Sequence, residues 1–384
     1  RAYRTHPHYA IFHHDIPKIV AEEDPSKAHW LSSPWSPDYK NPTDPTVGDQ
    51  HPWQVSLRDT GGADWWKYRT HIDRFANEGG VLGSSSPATL RQFLPETERH
   101  LLSASWAHHD NPWGRKGGPA GELGRAYQTV AMWTGLDPLH LDLDRYAFVS
   151  GLLQAEGLQE YILNYRRRMF SSAAAIFWMY NDSWPVTHGW TIVDYYCRKK
   201  LAYHPVRRAF APVTVVAAEE GRAVTIYGVN ELEEDWTGEL RWGVFRLGGG
   251  FPLDKSERVT LAANGSTALA RFPLARWEIE QFHSSGAFAA LYREGDLIAQ
   301  HRLFLARFKD LRFGSPNIRI ERHSESVTFM SDQFVWGVCL DAEGEARLAD
   351  NLFDLLPGIP YRVPWRHELG QPVIVRTGST DATR

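Results

Sequence analysis

The stretch RYAFVSGLLQAEGLQEYILNYRRR at residues 145–168, followed by AAAIFWMYNDSWP at residues 173–185, decides the fold class. In the first segment apolar side chains recur at spacings of three and four, which predicts a helix: Phe148, Leu152, Ala155, Leu158, Ile162 and Tyr165. The second segment, an apolar run over Ala173–Tyr180 that ends in a polar loop, is typical of a buried parallel strand. This alternation favours a β/α barrel, whose chemistry lies at the strand ends.

The same alternation extends from the N-terminus to about residue 212. Ile16 to Glu23 reads as a short helix that stops at the turn residues Asp24-Pro25. From Val213 onward the pattern changes to short strand-like stretches separated by Gly, Asn and acidic turns, which indicates two antiparallel sandwiches. The predicted strands are 213–217, 223–229, 238–245, 266–272, 287–292, 301–305, 318–322, 326–330, 335–340 and 373–377.

Length, charge and composition exclude several classes of protein. A chain of 384 residues is expected to form two or three domains. No apolar run approaches the roughly 18 residues of a membrane helix, and a net charge of −4 gives no reason to expect a nucleic acid or an anionic membrane as partner. Cys197 and Cys339 are predicted to be reduced, buried thiols. Residues 1–20 lack the basic and apolar regions of a secretory signal, so they assign no compartment.

The aromatic content points to a class of ligand. The chain has 16 tryptophans, many of them beside polar residues. Most are expected in the core, since aromatic rings contribute much of a core's burial energy. An aromatic face flanked by carboxylates and amides is, however, also how proteins hold a sugar ring. The composition therefore suggests carbohydrate.

Three segments place polar side chains where barrel strands should end: GDQHPW at 48–53, FANEGG at 75–80 and WMYNDSWP at 178–185. Glu78 precedes two glycines, which would allow a sharp turn and leave its carboxylate open to a ligand. Retaining glycoside hydrolysis needs an ionised carboxylate as nucleophile. Taken alone, this segment is better explained by an exposed loop glutamate.

Other polar clusters carry weaker signals. His6, His8, His13 and His14, and the sequence His108-His109-Asp110, contain metal-ligating residue types without a convincing ligand spacing, so solvated loop histidines are the better interpretation. The glycine-rich residues 117–121 lack the lysine of a phosphate-binding loop and are expected to form a flexible loop near the site.

These segments, in this order and together with several others, resemble the sequence pattern of a known family. The chain resembles the β-mannosidases and their neighbours in glycoside hydrolase family 2. The matching features are Tyr9, Phe12, Ile16-Pro17, Asp24-Pro25, Ser32-Ser33-Pro34, G-D-x-H-x-W at 48–53, F-x-x-E-x-G at 75–80, the series from Phe177 to Val213, and ADNLFDLLPG at 349–358. The resemblance spans nearly the whole chain and is strongest at 30–95, 145–213 and 349–358.

The resemblance implies a fold and an activity. The expected fold is the C-terminal half of a (β/α)8 TIM barrel, strands five to eight, over residues 1–212. Two immunoglobulin-like β-sandwiches would follow, over 213–310 and 311–384. The implied activity is a retaining exo-β-glycosidase acting on terminal β-D-mannosides by double displacement, without a cofactor or metal. Family alternatives are an exo-β-glucosaminidase, a β-galactosidase or a β-glucuronidase, and the alternative from another class is a non-catalytic carbohydrate-binding protein.

The resemblance also implies residue roles. Glu78 matches the nucleophile, and the substrate-binding candidates are His51, Trp53, Trp178, Asn181, Asp182 and Trp184. Asp182 fits a structural loop cap equally well, and Trp184 fits a core position slightly better. Two departures from the family pattern, Asn77 before the nucleophile and Gly79 after it, are expected to open space beside the carboxylate. The family's acid/base glutamate has no match in the chain, so we expect an N-terminal half, as a precursor segment or a separate chain, to supply it.

Overall fold

The computed structural model describes residues 6–36, 41, 44–58, 61–115 and 123–383. The glycine-rich segment 117–121 lies outside these residues. In the described chain, most helices precede residue 212 and most strands follow it. The helices are α1 (Pro7–Ala10), α2 (Ile16–Glu23), α3 (Pro87–Phe93), α4 (Ala104–His108), α5 (Pro112–Arg115), α6 (Arg125–Thr134), α7 (Leu143–Arg166), α8 (Tyr203–Ala209), α9 (Ala275–Glu278) and α10 (Gly378–Asp381).

Helix α7 is the centre of the N-terminal part, and both helices predicted there are confirmed. It begins before the predicted Arg145 because the side chain of Asp142 accepts a hydrogen bond from the Arg145 backbone N–H (2.7 Å) and caps it. The helix is buried on nearly all sides, including Gln154 and Asn164. The Gln154 amide donates to the carbonyls of Val81, Gly189 and Thr191, so its burial leaves the donor satisfied.

Three extended segments run parallel beside α7, in the order Gln50, Ala76, Ala175. The Ala76 carbonyl accepts from the backbone N–H of Ile176 (2.9 Å), and Gln50 N–H donates to the Phe75 carbonyl (2.9 Å). Strand β1 (Gly83–Ser84) pairs antiparallel with β2 (His188–Gly189) at the end of this region. The parallel direction of the segments agrees with the sequence pattern.

The prediction that Ala173–Tyr180 is a buried strand is wrong. The segment forms a single bridge, at Ala175, and its alternate side chains are exposed: Ile176 by 50%, Trp178 by 44% and Tyr180 by 58%. Its backbone hydrogen bonds run to the neighbouring segment 74–79 and, from Met179 and Tyr180, to residues 190–193. No described element covers the face that these three side chains present.

The region after residue 212 begins with two antiparallel sheets that face each other. One has the order β3-β4-β7 and the other β6-β5-β8-β9, with Val215, Ile226, Leu240 and Leu291 among the buried side chains between them. The strands are β3 (Val213–Glu220), β4 (Ala223–Asn230), β5 (Trp236–Arg246), β6 (Leu253–Leu261), β7 (Gly265–Pro273), β8 (Ser285–Arg293) and β9 (Asp296–Leu303). Six of these were predicted. The prediction missed β6, an edge strand whose charged, exposed sequence carries no apolar alternation.

The last part of the chain holds a sheet of order β10-β11-β14 and a two-stranded sheet β12-β13. The strands are β10 (Ile318–Arg322), β11 (Ser326–Ser331), β12 (Val335–Val338), β13 (Phe353–Leu355) and β14 (Tyr361–Pro364). The predicted strand 373–377 is wrong, since only Arg376 forms a bridge, to Cys339. Strands β13 and β14 were missed because they are too short to show a period.

The two cysteines differ in environment. Cys339 is a buried free thiol, as predicted. Cys197 is free but exposed, so the prediction of a buried thiol is wrong there. It lies in a tight turn, where its backbone N–H donates to the Asp194 carbonyl (3.0 Å) and its φ is 63°. That turn carries the side chain outward.

A charged cluster joins α7 to both sheet regions. Arg302 on β9 donates to Asp354 on β13 (2.9 Å) and to both carboxylate oxygens of Glu156 on α7. Burial alone lowers the pKa of Arg302, but Asp354 and Glu156 outweigh it and raise that pKa. The cluster borders a cleft of about 270 Å³.

Among the described residues, no helix is long and apolar enough to cross a bilayer.

Candidate active site

The three polar segments predicted at strand ends meet in space. The Asn77 backbone N–H donates to the Gln50 carbonyl (3.2 Å), which joins segments 75–80 and 48–53. The Trp178 N–H donates to the Gly79 carbonyl (2.7 Å), which joins the third segment. Because parallel strands bring their C-terminal ends to one edge, the side chains that follow them face a common space.

Glu78 lies at the centre of this arrangement. Its side chain is 31% exposed and that of His51 is 14% exposed. The indole Nε1 of Trp53 donates to Oε2 of Glu78 (3.0 Å), and His51 Nδ1 lies 3.5 Å from the same oxygen. Among the described residues, both contacts end on Oε2. The described residues therefore hold the carboxylate through Oε2 and make no hydrogen bond or ion pair with Oε1.

The two glycines after Glu78 permit close packing, and not the sharp turn expected from the sequence. A Cβ on Gly79 would lie 2.5 Å from the Tyr161 ring, and one on Gly80 would lie 2.6 Å from the Trp178 carbonyl oxygen. Neither glycine has a positive φ. The expectation that Gly79 opens space beside the carboxylate is wrong, because the Tyr161 ring fills that space.

A hydrogen-bonded network lies behind His51. Asp49 Oδ2 accepts from the Ser33 hydroxyl (2.6 Å) and from Asn77 Nδ2 (2.8 Å). Its Oδ1 accepts from Trp30 Nε1 (2.7 Å) and from the Trp35 backbone N–H (2.8 Å). Burial alone raises the pKa of Asp49, but these four hydrogen bonds outweigh it, so the pKa of this carboxyl lies below its usual range.

Ser33 connects that network to the histidine. Its Oγ lies 2.8 Å from His51 Nε2 and 2.7 Å from Asn77 Nδ2. A continuous path of contacts therefore runs from Asp49 through Ser33 and His51 to Glu78.

Aromatic rings gather around the same carboxylate. The Trp53 and Trp190 rings meet edge to face with centroids 4.9 Å apart. A Cβ on Gly80 would be 3.6 Å from the Trp53 ring and 3.5 Å from the Trp190 ring, beside the Trp178 carbonyl. Trp178 is 44% exposed whereas Trp190 is 7% exposed, so Trp178 is the more open of these two residues and Trp190 packs against Trp53 from the interior.

Trp184 lies apart from this group of rings. It is 49% exposed, so the core position favoured from the sequence is wrong. Its ring stacks on His109 with centroids 5.2 Å apart. The adjoining Pro185 carbonyl contacts His109 Nδ1 (2.7 Å), which fixes the ring on the outside of the loop.

Asn181 and Asp182 have different surroundings. Asn181 is exposed, and its amide donates to the Asp182 carbonyl (3.3 Å). Asp182 is buried, and its Oδ2 accepts from the Thr191 hydroxyl (2.8 Å). Burial raises the pKa of Asp182, against the attraction of the buried Lys200 ammonium, while burial lowers the pKa of Lys200 to about 8. The Lys200 ammonium donates to the carbonyls of Gly83 and Gly189.

The histidine clusters form no metal site within the described part of the chain. His109 is not the solvated residue expected from the sequence, because it is held between Trp184 and Pro185. The Asp110 carboxylate contacts Nδ1 of the buried His188 (2.8 Å), whose Nε2 meets the Tyr146 hydroxyl (2.8 Å).

The parts that Ser33, Asp49 and Trp190 play in this site, and the hydrogen bonds of Asn77, were not predicted from the sequence. Asp49 lies two residues before His51 in G-D-x-H-x-W, and a carboxylate so close to a histidine was the available signal. Ser33 carried no such signal, since it contacts residues 16 and 18 positions away.

Comparisons with known proteins find similar chains and a similar fold. Residues 222–310 match the family described as Mannosidase Ig/CBM-like domain. The chain is 25% identical to β-mannosidase B of Emericella nidulans over 374 residues, which cover 91% of this chain and 42% of that protein. It is 26% identical to β-mannosidase B of Aspergillus niger over 378 residues, with the same coverage. The chain thus spans about two fifths of the length of these curated relatives.

Solved structures show the same relationship. The β-D-mannosidase of Dictyoglomus thermophilum superposes with a TM-score of 0.81 at 25% identity, over 92% of this chain and 42% of that one. An Amycolatopsis orientalis exo-chitosanase superposes with a TM-score of 0.58 at 15% identity, over 81% of this chain and 42% of that one, and shares the fold. Over about nine tenths of its length, the chain is thus similar in sequence and fold to proteins that are named β-mannosidases.

Proposed function

We propose that the protein acts as a retaining exo-β-glycosidase that removes terminal β-D-mannosyl residues, with Glu78 as the nucleophile. The observation that carries the proposal is the Glu78 carboxylate, held at Oε2 by Trp53 and beside His51, at the edge where three parallel segments end. A nucleophile requires a carboxylate held in position with one oxygen available for attack. In this proposal Trp53 holds Oε2, and Oε1 is the attacking oxygen.

The proposed reaction has two displacements. Oε1 of Glu78 attacks the anomeric carbon as the glycosidic C–O bond breaks, and an acid/base carboxyl protonates the departing oxygen. The same acid/base group then deprotonates a water, which attacks the anomeric carbon and releases Glu78 as a carboxylate. Two inversions give net retention.

We place the sugar against the exposed Trp178 ring. A flat indole face packs on the C–H surface of a pyranose, and Asn181, exposed beside it, can donate to a hydroxyl. Trp53 and His51 act on Glu78. Asp182, turned toward Thr191 and Lys200, supports the loop and does not contact the sugar, while Trp184 lines the outer rim.

The proposal extends to the architecture. Residues 1–212 would form strands five to eight of a TIM barrel, with immunoglobulin-like sandwiches over 213–310 and 311–384. The parallel order Gln50, Ala76, Ala175 and the paired sheets after Val213 support it. So does the match of residues 222–310 to a Mannosidase Ig/CBM-like domain.

An N-terminal half would complete the barrel and carry the acid/base glutamate. The exposed Ile176 and Tyr180 are large side chains of the kind that a neighbouring element covers, and the relatives are more than twice as long as the matched region. In the complete enzyme, the two carboxyls should lie roughly 5–5.5 Å apart. Intact-mass analysis of the purified active enzyme tests the partner: activity from the 384-residue chain alone, as a monomer, would refute it.

Mannose is the proposed sugar because the relatives that match most of the chain are named β-mannosidases. The likeness to an exo-chitosanase concerns the fold alone. Comparison of kcat/KM on aryl β-mannoside and aryl β-glucosaminide decides between the two sugars, and a preference for the amino sugar would overturn this choice.

Glu78→Ala tests the nucleophile in the complete enzyme. We expect hydrolysis to fall by several powers of ten, and azide to restore turnover by forming the inverted glycosyl azide. Glu96→Ala, which removes an exposed carboxylate outside the three segments of the site, is the matched control and should retain full activity. Near-native turnover of Glu78→Ala without added azide would exclude Glu78 from the role.

A further inference from the structure

Five side chains from three segments form the path that ends at Glu78: Asp49 and His51 from one, Asn77 and Glu78 from the second, and Ser33 from the N-terminal region. Each contact has a fixed set of possible donors and acceptors. Counting them assigns the hydrogens on the path, and this assignment rests on the function proposed above only in its last step.

The count starts at Asp49, which can only accept. Two obligatory donors, the Trp30 indole and the Trp35 backbone N–H, reach its Oδ1. Its Oδ2 takes the other two contacts, with Ser33 and Asn77. Because the carboxylate can only accept, the Ser33 hydroxyl hydrogen must point at Oδ2, and the nitrogen of the Asn77 amide must face it.

Ser33 then has no hydrogen left for its other neighbours. Its oxygen accepts from Asn77 Nδ2 at 2.7 Å. The remaining contact, 2.8 Å to His51 Nε2, is attractive only if Nε2 carries the hydrogen. The network therefore fixes the tautomer of His51 from the side remote from Glu78.

The other ring nitrogen faces the nucleophile. With Nε2 protonated, a neutral His51 would carry its lone pair on Nδ1, 3.5 Å from Oε2 of Glu78. A proton on Nδ1 would convert that repulsive contact into an ion pair. Trp53 already donates to the same oxygen, so the carboxylate would receive two N–H donors on Oε2 while Oε1 stays free for attack.

We propose that Ser33 is a positioning residue which, oriented by Asp49 and Asn77, locks His51 with a hydrogen on Nε2, so that Nδ1 holds a proton against Oε2 of Glu78. When Glu78 becomes an ester in the glycosyl-enzyme, the charge that attracts this proton disappears. When the carboxylate re-forms in the second displacement, the proton stabilises the returning charge. Ser33 thus acts on the reaction through His51 without touching substrate.

Neutron diffraction from D2O-exchanged crystals of the complete enzyme tests the proposed hydrogen positions directly. We expect a deuteron on His51 Nε2 directed at Ser33 Oγ, and a second one between Nδ1 and Oε2 of Glu78. A bare Nε2 with the Ser33 deuteron directed at it would overturn the proposal, as would the lack of any deuteron between His51 and Glu78.

Kinetics test the consequence. Ser33→Ala should lower kcat about ten- to a hundredfold, the range for losing a hydrogen bond to a charged group, with KM changed little. Ser33→Thr keeps the hydroxyl and should restore most of kcat. Native kcat in Ser33→Ala, or equal losses in both variants, would contradict the positioning role.

The two failures are distinguishable. If Glu78→Ala retains turnover, the proposed function fails, yet the neutron map still reports where the hydrogens of His51 lie. If the map shows the opposite tautomer of His51 while azide rescues Glu78→Ala, the proposed role of Ser33 is refuted and the proposed function stands.

Discussion

Trp53→Phe separates the hydrogen bond to the nucleophile from the ring that carries it. The change removes Nε1, whose bond to Oε2 of Glu78 is 3.0 Å long, and keeps an aromatic ring near Trp190. A hydrogen bond to a charged group contributes about 1.5–3 kcal/mol. Since about 1.4 kcal/mol equals a tenfold change in rate, the expected loss is roughly ten- to a hundredfold.

The loss should fall on the second displacement. In the glycosyl-enzyme the Glu78 oxygen is an ester, and negative charge returns to it only as water attacks. A donor on Oε2 therefore binds the transition state more strongly than the intermediate, which is the condition for raising kcat. In the first displacement charge leaves the carboxylate, so there the donor stabilises the starting carboxylate more than the transition state and does not accelerate the step.

An activated aryl β-mannoside is the appropriate substrate because its first step is fast. Trp53→Phe should lower kcat more than kcat/KM and show a pre-steady-state burst of the released aryl alcohol, equal to one per active site. The smaller ring should lower the free energy of unfolding by about 1 kcal/mol, with a correspondingly small fall in melting temperature. An unchanged kcat together with a large drop in melting temperature would show that Trp53 is a core residue and refute this reasoning.

Three further changes follow from the structure. Trp178→Ala should weaken transition-state binding by a few kcal/mol, measured as a fall in kcat/KM. Its melting temperature should stay near native because Trp178 is 44% exposed. The control is Tyr195→Ala, at a residue that is 46% exposed and lies outside the site. Gly79→Ala should abolish turnover and lower the melting temperature, since its Cβ would meet the Tyr161 ring at 2.5 Å, and a native melt with native activity would contradict that packing. Lys200 has a folded pKa of about 8, below its ordinary value of 10.5, so between these pH values the unfolded chain binds more protons than the folded chain. The contribution of Lys200 to the free energy of unfolding should therefore rise by about 3 kcal/mol from pH 8 to pH 10.5. Lys200→Met should flatten that rise in urea titrations, and an identical pH slope in both proteins would refute it.

Much of the fold was predictable because strong periodicity accompanied burial. Helix α7 and six strands of the sheets after Val213 have apolar side chains at helix or strand spacing. Strand β6 was missed because an edge strand with exposed charges carries no such period. The burial of Ala173–Tyr180 was predicted wrongly because its composition suits an interior, whereas its described neighbours cover one side only.

The residues of the candidate site were more predictable than the hydrogen bonds that connect them. Glu78, His51 and Trp53 come together as the strand-end argument requires. The network through Ser33, Asp49 and Asn77 depends on contacts between residues 16 to 44 positions apart, which no local pattern encodes. The close packing of Gly79 on Tyr161 likewise depends on α7, more than 80 residues away.

Covalent trapping tests the central claim, that Glu78 is the nucleophile, most directly. A 2-deoxy-2-fluoro-β-D-mannosyl fluoride slows both displacements but keeps a good leaving group, so the glycosyl-enzyme should accumulate. Peptide mass spectrometry of the inactivated complete enzyme should find one fluoromannosyl group, on the peptide that contains Phe75 to Gly80, attached to Glu78. A label on any other carboxylate, or time-dependent inactivation of Glu78→Gln at the native rate, would contradict the account.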